Sequence, residues 1–76
     1  MSAITLRRIA PDQNMWRFYR LEVQVDLFGR WCLVREWGRI GRRGQMRSVS
    51  FPSAAEAETA FEKQRRHKEQ KGYAAS

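Results

Sequence analysis

The sequence has one cysteine, one histidine and two prolines. A single cysteine excludes an internal disulfide, so nothing calls for an oxidising compartment. Cys32 lies mid-strand among apolar neighbours and reads as a small buried thiol, not a nucleophile. The single histidine, His67, sits inside RRHKEQK. It reads as a solvated helical side chain rather than a general base. No group of His, Cys and carboxylates has metal-ligand spacing. No apolar run approaches the roughly 20 residues that span a bilayer. The opening MSAITLRRIA has no apolar core of the kind a signal peptide carries. The expectation is a soluble, cytoplasmic, non-enzymatic chain without cofactor, metal or small-molecule substrate.

Acidic residues are also scarce. Eight Asp and Glu face 15 Lys and Arg, a net charge of +7. Such an excess suits an anionic partner: nucleic acid, an acidic protein or a membrane surface. The plainer reading is a charge that keeps a small protein soluble. At 76 residues the chain suits one domain, which buries only about 60% of its unfolded surface. That leaves room for one sheet and one helix, and none for a deep cleft. The expected domain is 1–76, with its core at about 14–73.

Residues 3–10, AITLRRIA, are a candidate short strand, and Pro11 to Asn14 a turn. Residues 15–26, MWRFYRLEVQVD, alternate most clearly. Tyr19, Leu21, Val23 and Val25 share one face, against Arg20, Glu22, Gln24 and Asp26 on the other. Leu27-Phe28-Gly29 makes a tight connection to an antiparallel strand over 30–37, RWCLVREW. There Trp31 and Leu33 oppose Cys32 and Val34, and alternation does not say which pair faces the core. A glycine-rich turn follows, then a third β segment over 45–51. Ser53 with Glu56 forms the S-x-x-E capping box of a helix, satisfying two orphan amides. Ala54, Ala57, Ala60, Phe61 and Gln64 make its apolar stripe. Gly72 stops it, with Tyr73 folding back on the last turn. Ala74 to Ser76 reads as a frayed, flexible tail. The fold class is α+β: a small antiparallel sheet with one C-terminal helix packed on one face.

Residues 35–47, REWGRIGRRGQMR, hold the chemistry. Arg35, Arg39, Arg42, Arg43 and Arg47 surround glycines 38, 41 and 44. A guanidinium is a planar fork that matches phosphate oxygens. Glycine lets backbone N–H groups approach a ligand. Trp37, at the end of its strand, offers a face for a base or sugar. The bland alternative makes Trp37 a core residue under the helix and the arginines a wet rim. The pattern is neither a P-loop nor G-x-G-x-x-G. A second basic surface, Lys63 to Lys71, is expected of any helix C-terminus. The helix has too few large apolar residues to insert into a membrane.

Trp37-Gly38-Arg39 followed by Ile40-Gly41 resembles the signature of the WGR domain, a module of DNA-dependent poly(ADP-ribose) polymerases and of bacterial proteins. The resemblance extends from about Asn14 to Tyr73. It takes in Tyr19 and Leu21, the run Arg-Trp-x-x-x-Arg-x-Trp-Gly-Arg, Gly44, Phe51, Ala57, Phe61, Lys63, Lys68 and Tyr73, and is strongest with free-standing bacterial members. It implies an antiparallel sheet with a helix on one side, and DNA binding. In the polymerases the motif tryptophan packs against the sugar at a strand break, a role that falls on Trp37. Gly38 and Arg39 complete the motif, Lys68 matches a basic residue near the helix end, and the loop before the long strand brings in Asn14 and Arg17. Arg42 and Arg43 match no fixed family feature. The polymerase arginine also serves contacts to other domains, for which no recipient is visible here.

The resulting expectation is a monomeric, non-enzymatic nucleic-acid-binding module, nucleoid-associated if it binds DNA. Double-stranded DNA, with a preference for ends or nicks, is the expected ligand, and RNA stays open. The alternative is an adaptor that docks an acidic protein or another domain through the same basic surface.

Overall fold

Alternation along 15–25 sets the architecture. In the computed structural model, which describes residues 2–75, strand β2 (Met15–Val25) buries Tyr19, Leu21 and Val23 on one face. Four further strands are β1 (Ala3–Ala10), β3 (Trp31–Arg39), β4 (Gln45–Phe51) and the two-residue β5 (Ala74–Ala75). They form one antiparallel sheet in the order β4-β3-β2-β1-β5. Helix α1 (Ala54–Gln70) packs across the face carrying Tyr19, Leu21 and Val23. This is the expected α+β fold. The core joins Leu6, Leu33, Ala57 and Phe61 to those three, with Ile4, Trp31, Trp37, Phe51, Ala60 and Tyr73 packed around it. Burying one such large side chain contributes about 1.5–3 kcal/mol.

The ambiguity on β3 resolves because both faces of that strand are covered. Leu33 faces the helix. Cys32 and Val34 are also buried, at 4% and 5% exposure, but lie outside the helix-side cluster. They face the reverse side, where Val34 pairs with Glu22 and Ser48. Arg20 holds Glu22 at 2.8 Å and Glu36 at 3.1 Å on that same side. Long ion-paired side chains there cover what alternation alone would leave wet.

Three details differ from expectation. β3 runs through Trp37 to Arg39, so the tryptophan lies within a strand and the turn begins at Ile40. Ala74 and Ala75 pair with Arg7 and Leu6 of β1, so these tail residues carry strand hydrogen bonding instead of fraying. Ser76 lies outside the described residues. At the helix start, the Ser53 hydroxyl accepts the Glu56 N–H at 3.2 Å. The Glu56 carboxylate turns to that hydroxyl, at 3.5 Å, so it is the Glu56 amide that the box caps.

Candidate functional site

Four local devices converge at the end of the sheet beyond the last turn of α1. The first is the helix stop. Gly72 takes a left-handed φ of 96°, which glycine adopts without steric cost. Gly72 N–H then donates to the Glu69 carbonyl and Tyr73 N–H to the Lys68 carbonyl, both at 3.1 Å. This is a Schellman closure, and it folds the residue after the glycine back over the helix end. Tyr73 thereby meets Tyr19 edge-on, with ring centroids 6.2 Å apart.

The second device is register. Tyr19 of β2 pairs with Trp37 of β3, and their rings stack at 6.1 Å and 22°. Trp37 is half-buried. It belongs to the edge of the core and also lines the hollow beside it.

The third device is the turn before β2. A short 3-10 turn over Pro11–Gln13 ends at Asn14, in the left-handed region at φ 52°. The Asn14 N–H donates to the Pro11 carbonyl at 3.0 Å. Asn14 is one of the few residue types that tolerates this conformation. Its side-chain oxygen accepts from Arg39 at 3.2 Å and its carbonyl from the same guanidinium at 3.4 Å. Two residues 25 positions apart are so clamped, with Arg39 still exposed.

The fourth is a glycine pair. A Cβ on Gly44 would lie 2.3 Å from the Trp37 carbonyl oxygen and 2.9 Å from the Phe18 ring. A Cβ on Gly38 would lie 2.9 Å from Gly44 Cα. These glycines let the backbone approach itself. Of glycines 38, 41 and 44, Gly41 alone has open space around it, at φ 86°.

Together these devices frame a hollow of about 470 Å³. It brings together Asn14, Arg17, Trp37, Gly38, Arg39 and Lys68 among the expected residues. It adds Gln13, Met15, Trp16, Tyr19 and Tyr73, which the sequence reading did not assign to a site. For Tyr19 the signal was present, since its strand partner is Trp37, but periodicity marks it only as core. None of the described residues lining it is acidic. Arg17 and Arg39 are directly opposite one another across β2 and β3, and like charges so placed repel.

Lys68 reaches in from α1. Its Nζ stands 4.5 Å from the Tyr19 centroid and 5.6 Å from that of Tyr73, a cation–π arrangement. Burial lowers its pKa from 10.5, aided by the charges of Lys71 and Arg35. Arg35 and Arg47 form a second opposed cationic pair, between β3 and β4. They do not line the hollow, and neither do Arg42 and Arg43, which sit exposed on the 40–44 turn. A wider depression of about 720 Å³ runs along the outer face of α1 between Glu58, Glu62, Lys63, Arg66 and His67. It mixes both signs of charge and has no Trp, Tyr or Phe among its described lining residues, so it lacks the stacking surface of the first hollow.

The WGR domain family model matches residues 2–76. The chain belongs to the WGR domain family. It is 40% identical over 68 residues to the uncharacterized protein y4dW of Sinorhizobium fredii (strain NBRC 101917 / NGR234), covering 90% of this chain and 33% of that protein. The chain thus spans about a third of the length of that relative. No solved structure matches it. In this WGR domain the tripeptide places Trp37 and Arg39 on one face of β3, two residues apart, while Gly38 between them packs against Gly44 on the other. Among the described residues no helix is long and apolar enough to cross a membrane.

Proposed function

We propose that this WGR domain binds nucleic acid, double-stranded DNA in the first instance, with the Trp37 hollow as its contact surface. The observation that carries the reading is the Arg17–Arg39 pair. The two arginines occupy directly opposed positions on adjacent strands and both line a hollow in which no described residue carries a carboxylate. An arrangement that repels itself when empty is relieved by an anion. Phosphate suits the guanidinium forks, and the half-buried Trp37 beside them offers a surface for a sugar or base at a strand end. Lys68 adds a cation from the helix, and Asn14 fixes the direction of Arg39. Arg42, Arg43, Arg35 and Arg47 extend the positive field around the hollow and act on phosphate without reading sequence.

Fluorescence anisotropy with intact, nicked and blunt-ended duplexes at several salt concentrations tests this. Neutralising about four to six phosphates gives a slope of log K against log salt of roughly −4 to −5. Trp37→Ala reduces the preference for nicked or blunt-ended DNA and leaves the slope nearly unchanged. Absence of binding at low salt rejects the proposal. Equal affinity for all three duplexes keeps DNA binding and rejects end recognition. A matched RNA duplex in the same assay decides between the two nucleic acids.

A further inference from the structure

β4 is the outermost strand on its side of the sheet, paired with β3 alone. It is seven residues long and exposed along its length up to Phe51. Natural edges are usually shortened, charged or broken by proline, because unpaired N–H and C=O groups recruit other strands. β4 carries one charge, Arg47, and its proline comes only after the last residue. The opposite edge differs, since β5 covers part of β1.

A groove of about 270 Å³ runs beside β4 on the helix side. Leu33, Val49, Phe51 and Ala60 make it apolar, and Arg35 and Lys63 line it with charge. Val49 is 42% exposed. Arg35, Arg47 and Lys63 form no ion pair among the described residues, whose pairs involve Arg20, Arg30 and Arg65. Along β4 the helix-side positions therefore read Gln45, Arg47, Val49, Phe51, and the reverse side Met46, Ser48, Ser50.

We propose that the β4 edge docks an extended acidic segment of a partner protein, which adds to the sheet as a further strand. Its carboxylates lie opposite Arg47 and toward Arg35 and Lys63, and its apolar side chains lie opposite Val49 and Phe51. Small polar residues alternate with them on the reverse side. Backbone pairing supplies affinity and the alternate side chains supply selectivity. A nucleic acid fits this edge less well. Phosphate accepts hydrogen bonds but donates none, so the outward carbonyls of β4 would be left facing it. A second copy fits less well too, because it would bring its own net +7 and a second Arg47 to the seam.

The test uses the full chain, labelled with 15N, and a blocked seven-residue peptide reading valine, threonine, valine, threonine, glutamate, threonine, glutamate. The reversed sequence covers the other strand orientation, and a proline at the central position is the control. One of the two orientations is expected to shift the β4 amides and slow exchange of those pointing away from β3. The proline peptide is expected not to do so. Arg47→Glu is expected to weaken binding about fivefold, the scale of one exposed ion pair, and to accept a lysine version of the peptide. Since Arg47 is exposed on an edge, a thermal melt confirms that this variant folds. Unchanged β4 exchange with both orientations at millimolar peptide overturns the proposal. So does equal binding of the proline peptide, which would reduce the contact to charge. So does protection of the same amides by a short DNA duplex and not by peptide, which would make the edge a nucleic-acid surface.

Discussion

The Lys68 ammonium stands 4.5 Å from the centre of the Tyr19 ring, with no carboxylate among the described residues lining the same hollow. Burial first, then Lys71 and Arg35, lower its pKa. A bound phosphate acts in the opposite direction, raising the pKa in the complex above that in the free protein. Binding is then favoured while Lys68 is protonated and weakens as pH rises through its free-state pKa. Duplex affinity from about pH 7 to 10 is expected to fall more steeply for the native chain than for Lys68→Met, which keeps the apolar stem. At neutral pH the same variant reduces the magnitude of the salt slope by about one. Parallel pH curves for the two proteins would remove Lys68 from the contact.

Gly44→Ala is expected to be among the most damaging single-methyl changes in the chain. The added Cβ falls 2.3 Å from the Trp37 carbonyl oxygen, a backbone atom that no rotamer change can move. Overpacking of this kind costs about 1–3 kcal/mol, and urea denaturation should place the loss at or above the top of that range. Gly41→Ala meets no atom within 4 Å but sits at φ 86°. It should cost less, through backbone strain alone. A Gly41→Ala loss as large as that of Gly44→Ala would contradict this ordering.

Ser53→Ala removes the acceptor of the Glu56 N–H. Loss of such a cap costs about 1 kcal/mol, which in a domain of this size lowers Tm by about 4–8 °C. Ser53→Asp should restore most of it, since a carboxylate also caps and complements the helix dipole. Calorimetry of the three proteins checks the order.

Acid should loosen the β2–β3 turn. Backbone hydrogen bonding from Arg30 is the first cause that lowers the Asp26 pKa from 3.8. Asp26 accepts from Phe28 N–H, Arg30 N–H and Arg30 Nε, each at 2.9 Å. With the folded pKa below the unfolded one, the native state binds fewer protons in that window. The contribution is then fully present above about pH 4 and is lost as pH falls through the folded pKa. Asp26→Asn keeps one acceptor oxygen and loses the titration. Melts between about pH 3 and 6 should show a shallower acid loss in the variant, and identical profiles would refute the assignment.

Much of the scaffold was legible because it rests on local signals. Tyr19, Leu21 and Val23 alternate, Ser53 caps, and Gly72 stops a helix. β3 was ambiguous because a strand buried on both faces does not alternate, and the Arg20 ion pairs on the same side as Val34 are not visible as apolar sequence. The site was legible in part. Trp37 and Arg39 stand out by their chemistry and Lys68 through a resemblance, and the structure brings the three into one hollow. Tyr73 was seen to fold back on the helix, yet its meeting with Tyr19 depends on a separation of 54 residues. The Gly38–Gly44 contact likewise needs the turn between them to be closed before either glycine has a reason. Such long-range partners leave no periodic trace.

The strand order has a consequence for how the chain assembles. β1 to β4 are laid down in sequence, each beside its predecessor, so three hairpins zip from neighbouring residues. Leu6 and Ala75 then meet across almost the whole chain, at the largest loop-closure cost. That seam is expected to form last in refolding and to open first under native exchange, giving the molecule a fast-forming meander and a late latch.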